Sequence, residues 1–566
     1  MFLEEKVNKR HIPVLITIVL IIILSSIIGV GWYMEKYSYS DERADLNEYF
    51  GVTDEKYPAI IYNDDIREEK ALYYSERVYL PFDFVVNNIN DHFYYDEREN
   101  LLLFTTANDL YTATVGGDTY TVGDTFMTSD GIISIKDGET LYIQADYVKL
   151  LANYEYAYHP APGRVTVKTS WEPYLGAAAK KDVSVRILGG IKSPILSDIT
   201  TGTTLKILEE MEEWDKVETE DGFIGYLEKK HMTTPADITP TPVTEVPGVI
   251  YTVNHMDKKV CLVWNMVTNM TANGSAVNLL ANTKGVNVIS PTWFSLSDNS
   301  GNFSSLASTD YVSAMHERGI EVWALLDNFS GEVTTSEVVN VTSNRQNLIR
   351  NIINICAEYD LDGINVDFES VTDDAADGYI QFLRELSIAC RKSGIRLSAD
   401  ISSIENYNKA ELGEVVDYVI LMGYDEHVSA SDGAGSVASI GFVRDFIDRT
   451  CEVVDESKVV NGLPFYTRLW SLNGNDISST AYSMSEMKNY LTEHNVSYDW
   501  NSETAQNFAD FTEDGVEYLV WIEDVDSINA KLQVMSDHSL AGVAGWRLGQ
   551  EDPAIWDAIS AYTMQP

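Results

Sequence analysis

The chain has 566 residues, which is too long for a single hydrophobic core and indicates three or four domains. Its 45% hydrophobic and 11% aromatic residues are typical of a folded protein. The formal net charge of -47 argues against nucleic acid or an anionic membrane surface as a partner, since phosphate contacts need clusters of Lys and Arg. A neutral glycan is compatible with this charge.

The N-terminal region is typical of an uncleaved signal-anchor. Residues 12–34 form an uncharged run of 23 residues, which is long enough to span a bilayer. Lys6, Lys9 and Arg10 precede this run and acidic residues follow it, so the positive-inside rule places residues 1–11 in the cytoplasm. No small-x-small cleavage site follows the run, which favours a retained anchor over a removed signal peptide. We therefore expect a single-pass protein of the cell membrane with extracellular C-terminal domains.

Residues 55–170 contain an internal repeat. The segment "VYLPFDFVVNNINDHFYYD" (78–96) aligns with "LYIQADYVKLLANYEYAYH" (141–159), so that Leu80 falls on Ile143. Each copy predicts a strand, a helix, an aromatic strand and an alternating strand. This α+β repeat resembles the copper-amine-oxidase N-terminal-like stalk domain of bacterial surface proteins, although it has no His cluster for copper. The resemblance implies a spacer or a wall-contacting module.

Residues 181–232 predict a small all-β barrel, with short alternating strands separated by turn residues. Trp214, Val217 and "GFIGYL" (222–227) resemble a bacterial SH3 domain, which implies a cell-wall peptide as a ligand. The alternative is that Trp214 and Tyr226 are only core aromatics of a small barrel.

The remaining 233–566 region reads as a linker followed by an α/β barrel. Residues 233–248 carry four prolines interleaved with Thr, which is typical of a semi-rigid extended linker. In 249–566, apolar runs alternate with amphipathic helical stretches, which predicts a (β/α)8 TIM barrel. A ninth apolar run, 516–524, is interpreted as a strand of an insertion or as a loop support. The eight predicted strands are 259–267, 286–294, 320–329, 362–370, 395–402, 418–427, 459–470 and 542–549.

The fourth predicted strand carries the candidate catalytic residues. Side chains alternate along a strand, so Asn365, Asp367 and Glu369 of "DGINVDFES" would face the barrel interior. Asp362 has the opposite parity and suits a structural hydrogen-bonding role. Catalytic groups of such barrels lie at the carboxyl ends of the strands, and buried carboxylates are costly unless they have a function or a partner. The pattern indicates an active site.

Aromatic residues at the ends of other strands predict a sugar-binding mouth. Together with "DGINVDFE", the segments "MGYD" (422–425), "GLPFYTRLW" (462–470) and "GWRLG" (545–549) resemble family 18 glycoside hydrolases over roughly 250–562. The likeness is greatest to the branch of spore-cortex and cell-wall glucosaminidases. Chitinases of the family usually have Asp at position 365, whereas the wall-lytic branch often has Asn. Asn365 therefore favours peptidoglycan as the substrate.

The resemblance implies substrate-assisted retaining catalysis, in which the 2-acetamido oxygen of the sugar is the nucleophile. Glu369 would then be the proton carrier, Asp367 would orient the acetamido group and Tyr424 would donate to its carbonyl oxygen. We expect Asn365 to hydrogen-bond Asp367 and to leave it ionised, because a neutral neighbour adds no like-charge repulsion. The residues assigned to substrate binding are Asn365, Met422, Asp425, Tyr466, Arg468 and Trp546.

No metal and no cofactor are expected. The cysteines form no CxxC or CxxH pair, which indicates small buried thiols, with one or two disulfides as the alternative. The four cysteines are Cys261, Cys356, Cys390 and Cys451.

The expected function is hydrolysis of β-1,4 linkages in N-acetylglucosamine-containing cell-wall glycan. A chitinase or an endo-β-N-acetylglucosaminidase is one alternative, because an extended chitin cleft uses several exposed Trp residues. A non-catalytic glycan-binding barrel and an adhesive scaffold are two others. The Trp residues available for a chitin cleft are Trp293, Trp323, Trp470 and Trp521.

Overall fold

The computed structural model describes residues 12–405, 407–474 and 476–564, so the predicted cytoplasmic tail, 1–11, lies outside the described residues. The chain divides into two compact units. The first comprises the described part of Met1–Phe93 together with Ala113–Tyr120 and Met127–Gly248. The second comprises Tyr94–Thr112, Thr121–Phe126 and Val249–Pro566.

One helix in the described part of the chain is long and apolar enough to cross a membrane. It spans Ile12–Tyr37, has 26 residues, includes an 18-residue stretch with a mean hydropathy of 2.9, and buries none of its side chains. A helix rises 1.5 Å per residue, so its length is about 39 Å, more than the hydrocarbon thickness of a bilayer. Its length and composition suit a signal-anchor and a signal peptide equally.

The two repeat segments, 78–96 and 141–159, have the same local structure, and both begin in the first unit. Strands Arg77–Pro81 and Thr140–Gln144 pair antiparallel, with Leu80 opposite Ile143, the residues that the sequence repeat aligns. The pairing of equivalent residues gives this sheet a local twofold character. The assignment as a stalk domain stays a prediction. A short helix follows each strand, Phe82–Asn88 after the first and Ala145–Lys149 after the second. The neighbouring strands are Leu72–Tyr74, Ser134–Asp137, Ala59–Tyr62, Asp65–Lys70, Glu155–Pro160 and Gly163–Lys168.

The predicted SH3-like region lies in a seven-stranded sheet of the first unit. Val217 belongs to its buried core, whereas Trp214 and Tyr226 are half-buried, so neither is purely a core aromatic. Trp214 lines a pocket of about 210 Å³ with Tyr39 and Arg186. The ligand of this region stays a prediction. In spatial order the strands are Ile195–Ile199, Val183–Arg186, Ile224–Glu228, Trp214–Thr219, Thr204–Glu209, Tyr174–Ala178 and Ala236–Ile238.

The second unit contains the predicted closed barrel. Eight parallel strands form a ring, because the first strand pairs with both the second and the last. The strands are rich in β-branched residues and are almost fully buried, as expected for a parallel sheet that is covered on both faces. The barrel strands, in chain order, are β1 Val260–Asn265, β2 Val288–Leu296, β3 Glu321–Asp327, β4 Gly363–Asp367, β5 Arg396–Ile401, β6 Tyr418–Leu421, β7 Val459–Pro464 and β8 Gly542–Trp546.

Amphipathic helices cover the barrel between these strands. Thr342–Tyr359, predicted from its apolar periodicity, packs against Asp373–Ser393, which follows β4. The other helices of the second unit are Ala276–Leu279, Thr309–His316, Thr335–Val339, Lys409–Val415, Ile440–Cys451, Met484–Glu493, Val525–Asp537 and Ile555–Thr563.

The seventh predicted run, 459–470, is two strands rather than one. β7 ends at Pro464, which has no N–H for a ladder hydrogen bond, and the backbone N–H of Phe465 donates to Trp546 O at 2.7 Å. The chain then enters an insertion between β7 and β8. The predicted ninth run lies there as Val516–Ile522. The other insertion strands are Tyr466–Asn473, Asp476–Ser483, Asp499–Asn501 and Gln506–Glu513.

All four cysteines are free thiols, as the sequence favoured. Cys261, Cys356 and Cys390 are buried in the barrel core, and Cys451 is partly exposed. The alternative of one or two disulfides is therefore wrong.

Candidate active site

A pocket of about 380 Å³ opens at the carboxyl ends of the barrel strands. Parallel strands of a barrel all deliver their last side chains to this end, so residues distant in sequence meet there. Six of the nine predicted site residues line the pocket. The lining includes Trp264, Phe329, Asp367, Glu369, Asp400, Glu405, Met422, Tyr424, Asp425 and Trp546.

Asn365 lies beneath the pocket, in the barrel interior, and is completely buried. Its Nδ2 donates to Asp400 Oδ1 at 2.7 Å and to Ser398 Oγ at 3.1 Å. Its Oδ1 accepts from Trp264 Nε1 at 3.0 Å and from Ser290 Oγ at 3.1 Å. The side chain therefore connects β4 to β1, β2 and β5 across the barrel interior and has all of its polar groups satisfied.

The expected hydrogen bond from Asn365 to Asp367 is absent among the described residues. Successive residues on one face of a strand are about 6.6 Å apart, so the Asn365 amide reaches sideways to β5 more easily than along its own strand. The carboxylate that it meets there is Asp400, which the sequence analysis did not single out.

The expectation that the neutral Asn365 leaves Asp367 ionised is wrong. Burial raises the pKa of Asp367 well above its usual range, and the nearby Asp400, Glu369 and Asp327 carboxylates raise it further. Burial also raises the pKa of Asp400, and the charge of Glu369 adds to this, while the hydrogen bond from Asn365 lowers it. Within the described structure, Asp367 Oδ1 is buried without a hydrogen-bond partner.

Glu369 lies just beyond the end of β4 and is half-buried in the pocket. Burial raises the pKa of its carboxyl group, followed in importance by the charges of Asp425, Glu405 and Asp327. A raised pKa keeps a proton available near neutral pH, which is what a general acid needs.

The backbone of Glu369 is clamped by Asn328, the residue after β3. The Glu369 N–H donates to Asn328 Oδ1 at 3.0 Å, and Asn328 Nδ2 donates to Glu369 O at 2.9 Å. The same Nδ2 also donates to Thr335 Oγ1 at 2.9 Å. This double hydrogen bond fixes the direction in which the Glu369 side chain leaves the strand.

The segment that follows β6 brings Met422, Tyr424 and Asp425 to the pocket. Tyr424 is nearly buried and packs edge-on against Trp264 at 6.2 Å between ring centroids. Asp425 has a left-handed backbone, with φ of 60°, and accepts a hydrogen bond from the Tyr466 hydroxyl. Tyr466 thus contributes to the site through its hydrogen bond to Asp425.

Trp546 and Arg468 complete the set of predicted residues. Trp546, the last residue of β8, lines the pocket and packs against Trp264 at 6.0 Å between centroids. Arg468 lies on the insertion sheet, where its Nη1 donates to Ser479 Oγ at 3.0 Å. The structure gives Arg468 this contact within the insertion and does not place it in the pocket lining.

Five residues that matter to the site are outside the predicted set, and Trp264 on β1 is one of them. Asp400 shares the interior parity of Ser398 on β5, and Asp327 ends β3, so the alternation argument used for β4 would have identified both. Glu405 and Asn328 lie in loops, where residue type and spacing give no comparable signal.

The Trp residues considered for an extended chitin cleft are mostly core residues. Trp293, Trp323 and Trp470 are at most 2% exposed, so that expectation is wrong for these three. Trp521, on the insertion, is partly exposed.

The model of glycosyl hydrolases family 18 matches residues 250–551, more than half of the chain. The chain belongs to this family of glycosidases. The uncharacterised glycosylase YvbX of Bacillus subtilis (strain 168) is 24% identical over 292 residues, which cover 48% of this chain and 84% of that protein. The cortical fragment-lytic enzyme of Bacillus anthracis is 26% identical over 244 residues, or 40% of this chain. The match spans about half of that enzyme's length, 56%.

Among solved structures, the spore cortex-lytic enzyme SleL of Bacillus megaterium QM B1551 aligns with a TM-score of 0.48 at 19% identity. The alignment covers 59% of this family 18 chain and 78% of SleL.

Proposed function

We propose that this chain is a membrane-anchored, extracellular glycosidase that cuts β-1,4 linkages in the N-acetylglucosamine-containing glycan of the cell wall. The observation that carries the proposal is the position of Glu369, a carboxyl group of raised pKa that shares a pocket with Asp367 and Tyr424. This pocket is large enough for a sugar ring and is walled by Trp264 and Trp546.

Glu369 acts first as a general acid and then as a general base. Its proton goes to the glycosidic oxygen as the bond to the anomeric carbon breaks, and the resulting carboxylate then takes a proton from the attacking water. The nucleophile of the first step is the 2-acetamido oxygen of the substrate, so no enzyme carboxylate needs to attack. Two inversions at the anomeric carbon give net retention.

Asp367 and Asp400 stabilise the cyclic intermediate. The unpartnered Oδ1 of Asp367 supplies an acceptor for the acetamido N–H, which becomes more acidic as positive charge develops on the ring. One proton held between Asp367 and Asp400 lets Asp367 carry the negative charge at that moment, while Asn365 holds Asp400 in place. Tyr424 donates to the acetamido carbonyl oxygen and orients it.

Peptidoglycan is the substrate we favour. Asn365 stands where chitinases usually have Asp, and a relative of this chain is named a cortical fragment-lytic enzyme. The burial of Trp293, Trp323 and Trp470 removes three of the four aromatic platforms that an extended chitin cleft would need.

The helix Ile12–Tyr37 serves as the membrane anchor. It is uncharged over its first 23 residues, and folded structure follows it at once: Ser40 N donates to Ile191 O at 2.8 Å and Ala44 N to Ile195 O at 2.9 Å. Intact mass of the protein extracted from membranes tests this, because removal of the helix would lower the mass by the corresponding residues.

Mass spectrometry of products from purified peptidoglycan tests the substrate. We expect soluble fragments with N-acetylglucosamine at the new reducing end, and a smaller yield from chitin. Fragments from chitin alone would overturn the choice of glycan, and no fragments from either would overturn the catalytic proposal.

A further inference from the structure

A cluster of metal-ligating side chains lies at the opposite end of the barrel from the pocket. Cys451 ends the helix that follows β6, Glu456 precedes β7, and His538 caps the helix that precedes β8. The three offer a thiol, a carboxylate oxygen and an imidazole nitrogen within 4.8 Å of one another. From these residues we propose a structural site for a divalent transition-metal ion of the zinc class.

The donor set suits such an ion. Zinc binds thiolate, imidazole and carboxylate ligands, whereas calcium and magnesium prefer oxygen alone. The four-residue loop between Cys451 and Glu456 lets one segment supply two ligands, and His538 arrives from a separate helix. The metal would therefore connect the starts of β7 and β8.

The orientation of His538 is the second observation. Its Nε2 lies 2.7 Å from Asp448 Oδ1, and its Nδ1 lies 3.3 Å from Glu456 Oε1. A ligating His typically donates its other ring N–H to a carboxylate, which fixes the tautomer. With the proton on Nε2, the Nδ1 lone pair faces the Glu456 oxygen, and a metal ion between these two atoms would remove their repulsion, as a second ring proton also would.

The electrostatic surroundings also favour a cation. Cys451 and His538 lie at the C-terminal ends of two helices, where the helix dipoles carry partial negative charge. The neighbouring basic residues in the sequence have other partners: Arg449 pairs with Asp445 at 2.8 Å, and Lys458 Nζ donates to Gly413 O at 2.6 Å.

The ligands come from two segments that lie more than 80 residues apart and have no zinc-binding spacing, so the sequence alone does not indicate this site. The metal site lies at the amino ends of β7 and β8, whereas the catalytic pocket lies at the carboxyl ends of the barrel strands. A metal there would stabilise the fold without entering the reaction.

Titration of the purified full chain with Co²⁺ tests the proposal. We expect a thiolate-to-cobalt absorption band that saturates at one equivalent and is displaced by Zn²⁺. Cys451→Ser should abolish the band, and Asp448→Asn should weaken Co²⁺ binding by about 10- to 100-fold through loss of the outer hydrogen bond. Added Zn²⁺ should raise the Tm of the wild type and leave the Tm of Cys451→Ser unchanged.

The matched control is His494→Ala. His494 Nδ1 lies 2.9 Å from Glu513 Oε1, so it is a His–carboxylate pair without a cysteine. Binding should be unchanged in this variant. The absence of a thiolate band, or equal binding in the wild type and Cys451→Ser, would overturn the site and identify a protonated His538 paired with two acids instead. Glycan hydrolysis is expected to survive in every variant.

Discussion

Asn365 Nδ2 donates a hydrogen bond of 2.7 Å to Asp400 Oδ1, and so joins the fourth and fifth barrel strands beneath the pocket. The buried pair of acids therefore comprises Asp367 on β4 and Asp400 on β5. Although Asn365 is neutral, it contacts the carboxylate of Asp400 on the neighbouring strand, and the charge of Asp400 raises the pKa of Asp367. Four predictions follow from this arrangement and from the groups around it.

Replacement of Glu369 by Gln should remove the proton carrier while keeping the size and most hydrogen bonds of the side chain. We expect kcat on cell-wall glycan to fall by about 10²- to 10⁴-fold, with an unchanged Tm, because general acid–base catalysis contributes about that factor. Glu358→Gln, an exposed site on the helix Thr342–Tyr359, is the control and should keep full activity. Equal turnover by the two variants would remove Glu369 from the mechanism.

Replacement of Asp400 by Asn should change how stability depends on pH. The pKa of Asp400 is raised in the folded state, so its contribution to stability is greatest below its unfolded value of about 4 and is lost as pH rises through the folded value. The Asp400→Asn variant has no carboxyl group at this position, so it does not lose this stability as pH rises. Its free energy of unfolding relative to wild type should therefore increase between pH 4 and pH 8, by about 1.4 kcal/mol for each unit of pKa shift removed.

Urea unfolding at several pH values measures this difference, and Asp432→Asn serves as a control. Burial raises the pKa of Asp400, whereas hydrogen bonds donated by Ser429 lower the pKa of Asp432. The stability that ionised Asp432 contributes is lost only below its unfolded pKa of about 4, so the control should show little change between pH 4 and pH 8. A difference for Asp400→Asn that does not vary with pH would contradict a raised pKa.

Replacement of Asn328 by Ala should loosen Glu369 without touching the substrate. Two hydrogen bonds to the Glu369 backbone are lost, each worth about 1 kcal/mol, so we expect kcat to fall about ten-fold or more with a smaller change in KM. Thr335→Val removes the third partner of Asn328 and leaves both bonds to Glu369, so its kcat should stay near wild type. A change in KM alone would argue against a positioning role.

Replacement of Asp425 by Asn should move the pH profile of kcat/KM. Activity requires protonated Glu369, so it falls as pH rises through the pKa of that group. After burial, the charge of Asp425 is the next cause that raises this pKa, and Glu405 follows it. The basic limb of the profile, where kcat/KM falls as pH rises, should therefore move to lower pH in Asp425→Asn. It should move in the same direction, but by less, in Glu405→Gln. A limb that stays in place or moves upward in both variants would contradict the assignment of Glu369 as the acid.

The alternation of apolar runs with amphipathic helical stretches is enough to predict the barrel, and the alternation of side chains along β4 is enough to predict that Asn365, Asp367 and Glu369 share one face. It did not predict their partners, because a strand's own sequence says which face a residue takes but not which neighbour it meets. Asn365 was expected to contact Asp367, and the register of the sheet gives it Asp400 instead.

Other differences have equally local causes. The run 459–470 was read as one strand, but Pro464 ends the barrel strand and the chain continues into a separate sheet. Trp323 and Trp470 were considered as surface platforms, yet their indole N–H groups donate to Glu321 and to the Gly435 carbonyl within the fold. Composition cannot distinguish a buried Trp with a satisfied N–H from one that is exposed for a sugar.

In the proposed mechanism, the substrate's own acetamido group is the nucleophile and Glu369 is the proton carrier. The most direct measurement compares release of soluble fragments from one preparation of cell-wall glycan before and after chemical removal of its N-acetyl groups. We expect cleavage of the N-acetylated glycan and none of the de-N-acetylated glycan, with re-acetylation restoring cleavage. Equal cleavage of the two forms would show that the enzyme supplies its own nucleophile.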